Sequence, residues 1–183
     1  MRNKIQTINV TPRFFILIAA GFLLFPLNWL IAWFIAVVVH ESAHCLAITI
    51  CGCKIHRISL DVTGAEIHTE LLTNLQTIFC ALAGPACGLL LLFFTQKCPQ
   101  LALCSLIQSL YNLLPIYPLD GGRILDSLTS LLFSRNTAYR ICNVISILTM
   151  ILILWLSIAV SILLNTCSPM LIPAILFLQH RQK

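Results

Sequence analysis

Residues 40–44 read His-Glu-Ser-Ala-His, two histidines four positions apart with a glutamate directly after the first. On an α-helix this spacing brings both imidazoles to one face, one turn apart. It suits two nitrogen ligands on a tetrahedral Zn²⁺ at about 2.0–2.1 Å. Glu41 projects about 100° further round the helix, so it flanks such a metal rather than joining the ligand pair. A carboxylate there can take a proton from water, which zinc makes acidic, and pass it to a leaving amine. The pattern therefore favours hydrolysis of an amide.

The elements that must carry this motif are unusual for a soluble enzyme. Of 183 residues, 59% are hydrophobic and only 9% are charged, against roughly 25% charged in soluble domains. Too little polar surface is available for a water-soluble globule, and the chain reads as an integral membrane protein of one domain, residues 1–183. The motif lies inside the apolar stretch 13–50. Ionisable groups are costly in hydrocarbon and mark function there, so a chance pair of histidines is the weaker reading.

The net charge of +5 does not indicate nucleic acid, because the basic residues are dispersed and flank apolar runs, as topology signals do. Most of the nine cysteines sit within apolar runs, where a thiol acts as a small hydrophobe. They define no disulfide framework, and Cys51-x-Cys53 is too common a pattern to argue metal or redox chemistry. Arg2 and Lys4 precede an apolar run as in a signal peptide, but no Ala-x-Ala-like site follows. A retained first helix is expected.

A helical span needs about 20 apolar residues. The expected fold is an α-helical multi-pass membrane protein of about six spans, near residues 12–27, 29–50, 74–95, 100–114, 141–164 and 168–179. Alternation in the polar stretch 52–73, with Thr63-Gly64 at the turn, predicts a small β-hairpin after the second span. Residues 124–140 read as amphipathic and interfacial. In 115–123, Pro-Ile-Tyr-Pro-Leu-Asp-Gly-Gly-Arg, two prolines and two glycines predict irregular backbone. Six spans put both termini on one side with every basic residue except Lys97. The positive-inside rule makes that side cytoplasmic, and it holds the end of the second span that carries His40 and His44.

A catalytic zinc needs a third protein ligand and an open position. The chain has six acidic residues. Besides Glu41, three of them (Asp61, Glu66, Glu70) belong to the polar hairpin and Asp126 to the amphipathic segment. Asp120 lies in Leu-Asp-Gly-Gly, which on its own reads more readily as an ordinary turn than as a ligand site.

Taken together, HESAH and NLLPIYPLDGGR resemble the site-2 protease family of intramembrane zinc metalloproteases, the M50 type. The short six-span form is similar to the sporulation factor IVFB branch without its CBS domain, and no PDZ domain is expected. The resemblance implies one Zn²⁺ per chain held by His40, His44 and Asp120, with Glu41 as catalytic base. It further implies that Asn112 lies beside the site and holds the substrate backbone or the oxyanion. Ala83-Gly84-Pro85 matches the family's A-G-P signature and is taken as structural.

The function expected is cleavage of a peptide bond in or near a transmembrane segment of another protein, in the membrane of a bacterial cell. A membrane-protein substrate is implied, with a regulatory membrane partner compatible and sporulation pro-sigma-factor processing within the branch. An extended substrate could add a strand to the hairpin at 54–70. The alternative is a catalytically silent scaffold or binding protein of the same fold. A metal carrier is disfavoured, because the third, fifth and sixth spans carry almost no ionisable groups.

Overall fold

The structure, a computed structural model, describes residues 7–61 and 64–164. The chain divides into two compact units, Met1–Asn112 and Leu113–Lys183. In the first unit the order is β1 (Thr7–Val10), α1 (Pro12–Leu24), α2 (Leu27–Ile50), β2 (Ile55–Asp61), β3 (Gly64–Thr69), α3 (Asn74–Leu90) and α4 (Pro99–Asn112). A 3₁₀ turn, Leu91–Phe94, extends α3. The second unit holds α5 (Asp120–Leu132) and α6 (Arg135–Leu164).

Local chemistry sets the breaks. Pro12 opens α1 at its first turn, where the missing N–H costs nothing. Pro26 then stands as the N-cap of α2. At the far end of α2, Gly52 takes φ 78°. Its N–H bonds the Thr49 carbonyl at 3.0 Å, and Cys53 N–H bonds that of Ile48 at 3.2 Å. This is a Schellman termination, which a glycine enters without steric cost. Its usual hydrophobic contact is present, since Ile48 and Cys53 share one buried cluster. α3 begins with a capping box in which Gln76 N–H bonds Thr73 Oγ1 and Thr73 N–H bonds Gln76 Oε1 at 3.0 Å.

The expected hairpin is formed by β2 and β3, antiparallel with Ile58 opposite Ile67 and Leu60 opposite Ala65. The turn residues 62 and 63 lie outside the described residues. An irregularity between Ile55 and Arg57 lets Ile55 and Ile58, three positions apart, both face the core. One strand was not expected. β1 pairs parallel to β2, Thr7 with Arg57 through Val10 with Leu60, so β2 is the middle strand of three. Four residues beside a basic, signal-like terminus give too short an alternation to stand out.

Among the described residues, three helices are long and apolar enough to cross a membrane, over Leu27–Ile50, Asn74–Phe94 and Arg135–Leu163. At 13 and 14 residues, α1 and α4 reach only about 20 Å, short of a hydrocarbon core of about 30 Å. The span expected at 168–179 lies outside the described residues. The distribution of polarity is that of a lipid-facing protein. Ser105, Ser109, Ser146 and Ser157 are buried, while Phe93, Ile151, Trp155 and Leu163 are exposed. Small residues along α2 (Ala32, Ala36), α3 (Gly84, Gly88) and α4 (Ala102, Ser105, Ser109) form the buried stripes, as expected where close backbone approach drives packing between helices in lipid.

Two boundaries differ from expectation. Residues 124–140 are not one amphipathic element, because Phe133 adopts an extended conformation that ends α5. Ser134 then starts a new helix, its carbonyl accepting from Ala138 N–H at 2.9 Å and its hydroxyl meeting Thr137 Oγ1 at 3.0 Å. Nor is 115–123 irregular throughout. Asp120, Gly121, Gly122 and Arg123 form the first turn of α5. A Cβ on Gly121 would strike the Leu113 and Leu114 backbone, and one on Gly122 the Ile116 and Tyr117 backbone. The glycines are there for close approach of backbone to backbone, which a helix permits. The Tyr117–Pro118 bond is cis.

Candidate metal centre

His40 and His44 fall on the buried stripe of α2 that begins with Ala32 and Ala36. The periodicity of about 3.6 carries that stripe through both histidines, and each is at least nine-tenths buried. Their rings meet edge to face, with centroids 4.7 Å apart. The two Nε2 atoms converge to 3.1 Å.

A carbonyl from the neighbouring helix fixes the second ring. His44 Nδ1 donates to the backbone oxygen of Cys80 at 2.7 Å. That bond puts the proton on Nδ1 and the lone pair on Nε2, the tautomer a metal ligand needs. Cys80 belongs to α3, as does Gly84 four residues on. A Cβ on Gly84 would stand 2.8 Å from His40 Nε2 and still nearer to His44 Nε2. Only hydrogen at this position leaves space in front of both nitrogens.

These observations test whether a zinc ion fits. Two nitrogens on one tetrahedral Zn²⁺ at 2.0–2.1 Å lie about 3.3 Å apart, close to the observed 3.1 Å. The space that a Gly84 methyl would fill adjoins both lone pairs. The histidine pair fits the ion. Glu41 follows on the same helix and is half-buried.

Asn112 is the last residue of α4, half-buried, and its Nδ2 donates to the Gln108 carbonyl one turn back at 3.1 Å. Asp120 is in the second unit, buried in the first turn of α5, where the helix dipole favours a carboxylate. The turn before it is braced from α6, with Ser146 Oγ donating to the Pro115 carbonyl at 3.0 Å.

Two contributors escaped the sequence reading. As part of the Ala83-Gly84-Pro85 signature Gly84 reads as structural, yet it faces the histidine nitrogens directly. The Cys80 carbonyl leaves no trace in a sequence because any residue supplies one. A glycine next to a proline inside an apolar helix was the available signal for the first.

Residues 96–156 match the family model described as Peptidase family M50. That stretch includes Asn112 and Asp120 and excludes the histidine motif. A zinc metalloprotease of Methanocaldococcus jannaschii is 27% identical over 146 residues, covering 72% of this chain and 43% of the relative. A Synechocystis sp. protein that also carries a zinc metalloprotease name is 34% identical over 111 residues, 52% of this chain and 29% of the relative. The chain thus spans less than half the length of these curated relatives. Among solved structures, the site-2 protease from Methanocaldococcus jannaschii aligns with a TM-score of 0.71 at 22% identity, over 100% of this chain and 92% of that one. At that identity the likeness is one of fold. Over residues 96–156 the chain is thus similar to peptidase family M50, and its fold is like that of a solved site-2 protease.

Proposed function

We propose that this chain is an intramembrane zinc metalloprotease that hydrolyses a peptide bond in or near a transmembrane segment of another protein. The observation that carries the reading is the pair of histidine Nε2 atoms 3.1 Å apart, with space kept in front of them by Gly84. His40 and His44 would hold one Zn²⁺ per chain, and Asp120 is the third ligand in this reading. Its support is a buried carboxylate at a helix start, in the Leu-Asp-Gly-Gly motif that the family match spans. When bound, zinc supplies a Lewis acid that polarises the scissile carbonyl and acidifies water.

The chain's own residues do the rest. Glu41 takes a proton from the attacking water and gives it to the leaving amide nitrogen. The Cys80 carbonyl keeps the Nδ1 proton on His44, so that Nε2 stays a ligand through the cycle. Asn112 donates to the substrate backbone or to the developing oxyanion, releasing its bond to Gln108. Lys54 and Arg57 directly after α2 favour the cytoplasmic side of a cell membrane for its histidine end, so water need enter only partway.

The substrate must be extended at the cut, because amides within a helix are already bonded. An added strand would hold it extended. β2 is the middle strand, so among the described residues the open edge of the hairpin is that of β3. Proline placed successively over 65–68 should lower cleavage while leaving zinc content unchanged. Cleavage at the original rate in all four variants would remove β3 from the reading.

The central test uses two variants and a co-expressed membrane-protein substrate. Glu41→Gln should keep its zinc and lose cleavage by about 10²–10⁴-fold, the range for a general acid–base group. Asp120→Asn should lose zinc as well. Undiminished cleavage in cells carrying Glu41→Gln would mean that another protease makes the cut, and would favour a silent scaffold of the same fold.

A further inference from the structure

The end of α2 carries a group of thiols in the core that joins it to the sheet and to α3. In sequence, Cys51 pairs most readily with Cys53. In space the sulfurs that face one another are Cys51 Sγ and Cys80 Sγ, 3.9 Å apart. Cys53 Sγ turns to the Cys51 carbonyl instead, at 3.8 Å. All three are free thiols. Cys51 caps α2 and is half-buried, directly before the exposed Gly52 at the helix end, whereas Cys80 is buried within α3. Cys51 is the less buried of the two, so a small oxidant meets it first, and Cys80 is reached from it.

Cys80 has a second connection. Its backbone carbonyl is the acceptor that orients His44 at 2.7 Å. A disulfide has an S–S distance of about 2.05 Å, so joining the two sulfurs draws the Cys80 residue toward the end of α2. The peptide group that moves with it is the one holding His44.

We propose that Cys51 and Cys80 form a redox-responsive thiol pair, oxidised by a low-molecular-weight disulfide, whose closure displaces the carbonyl that positions His44. Its effect on activity rests on the zinc protease reading above; the bond itself does not. The exchange is balanced. The Cys51 sulfur, giving up its proton, attacks the small disulfide, forms a mixed disulfide and releases one thiol. The Cys80 sulfur then loses its proton and attacks Cys51 Sγ, closing the internal bond and releasing the second thiol. One small disulfide is reduced to two thiols as two cysteine thiols become one disulfide. Cys80 acts only in the second, internal step, so its burial does not obstruct the reaction. Excess thiol reverses both steps.

The test uses the full chain in membranes or detergent, reduced and then incubated with glutathione disulfide. Non-reducing peptide mapping should find Cys51 joined to Cys80, with the link removed by dithiothreitol. Cleavage and zinc affinity should fall about tenfold or more with the link, the scale seen when a metal ligand's hydrogen-bond partner is disturbed, and recover on reduction. Cys51→Ser should cleave normally and resist the oxidant, and Cys51→Ala guards against a fault peculiar to serine. Cys53→Ser should stay sensitive. Glutathione adducts alone, a Cys51–Cys53 link, or a Cys51–Cys80 link with undiminished zinc affinity each overturn the proposal. A reduced chain without zinc or cleavage marks failure of the protease reading instead, and peptide mapping still decides whether the pair closes.

Discussion

Glycines do different work in the two units. In the first, Gly84 of α3 faces the side-chain ends of His40 and His44. In the second, Gly121 and Gly122 of α5 face the main chain at Leu113, Leu114, Ile116 and Tyr117. The neighbour decides what a methyl group would do. A side-chain end can swing away and leave the fold intact at the expense of its function, whereas main chain cannot move without moving the turn it belongs to. One region is built to keep a space open and the other to close one.

The largest effect that separates the two is expected from Gly84→Ala. The methyl would take the space in front of both Nε2 atoms, so zinc content and cleavage should both fall to near the level of a ligand knockout. Metal-free stability should fall by less than in the α5 glycine variants. The histidine ring ends can turn aside at the expense of the His44–Cys80 bond, and alanine's preference over glycine in a helix interior, up to about 1 kcal/mol, offsets part of that cost. Metal analysis beside thermal unfolding in chelator reads both quantities. A variant that lost stability without losing zinc would place Gly84 with the glycines of α5.

A smaller effect of opposite character is expected from Gly121→Ala and Gly122→Ala. Overpacking of this kind costs about 1–3 kcal/mol, here with backbone as the partner. Unfolding in chelator should come earlier for both. Zinc affinity measured well below the unfolding range should fall less than in Gly84→Ala. If chelator-treated Gly122→Ala unfolds with the parent, the close approach to Ile116 and Tyr117 is not what the glycine is for.

The same contrast explains what could be read without a structure. His40, Glu41 and His44 announce themselves through spacing on one helix, and α2 and α3 through length and hydropathy. The hairpin followed from alternation around Ile58 and Ile67. β1 escaped because four residues cannot establish a period and its partner lies some 50 positions away. Gly84 and the Cys80 carbonyl escaped because their roles depend on which helix packs against α2, which no local pattern contains. Residues 120–123 read as irregular because glycines usually break helices, and only the backbone they press against shows why these do not. The pairing of Cys51 with Cys80 rather than Cys53 has the same origin, since adjacency in sequence is a poor guide to adjacency between helices.

The smallest effect tests how the second unit holds its turn. Ser146 Oγ donates to the Pro115 carbonyl from α6 at 3.0 Å, and Ser146 is buried. Ser146→Ala should lower stability by about 0.5–1.5 kcal/mol, the usual worth of one such bond. The informative quantity is its combination with Gly122→Ala. Distant, independent sites add to within about 0.3–0.5 kcal/mol, whereas sites acting on one segment couple. Pro115 and the Ile116 backbone that meets Gly122 are adjacent, so once the methyl has displaced the turn, the serine bond should already be weakened. The double variant should then be less destabilised than the two singles added together. Strict additivity would mean that α6 and the glycines hold separate parts of the turn.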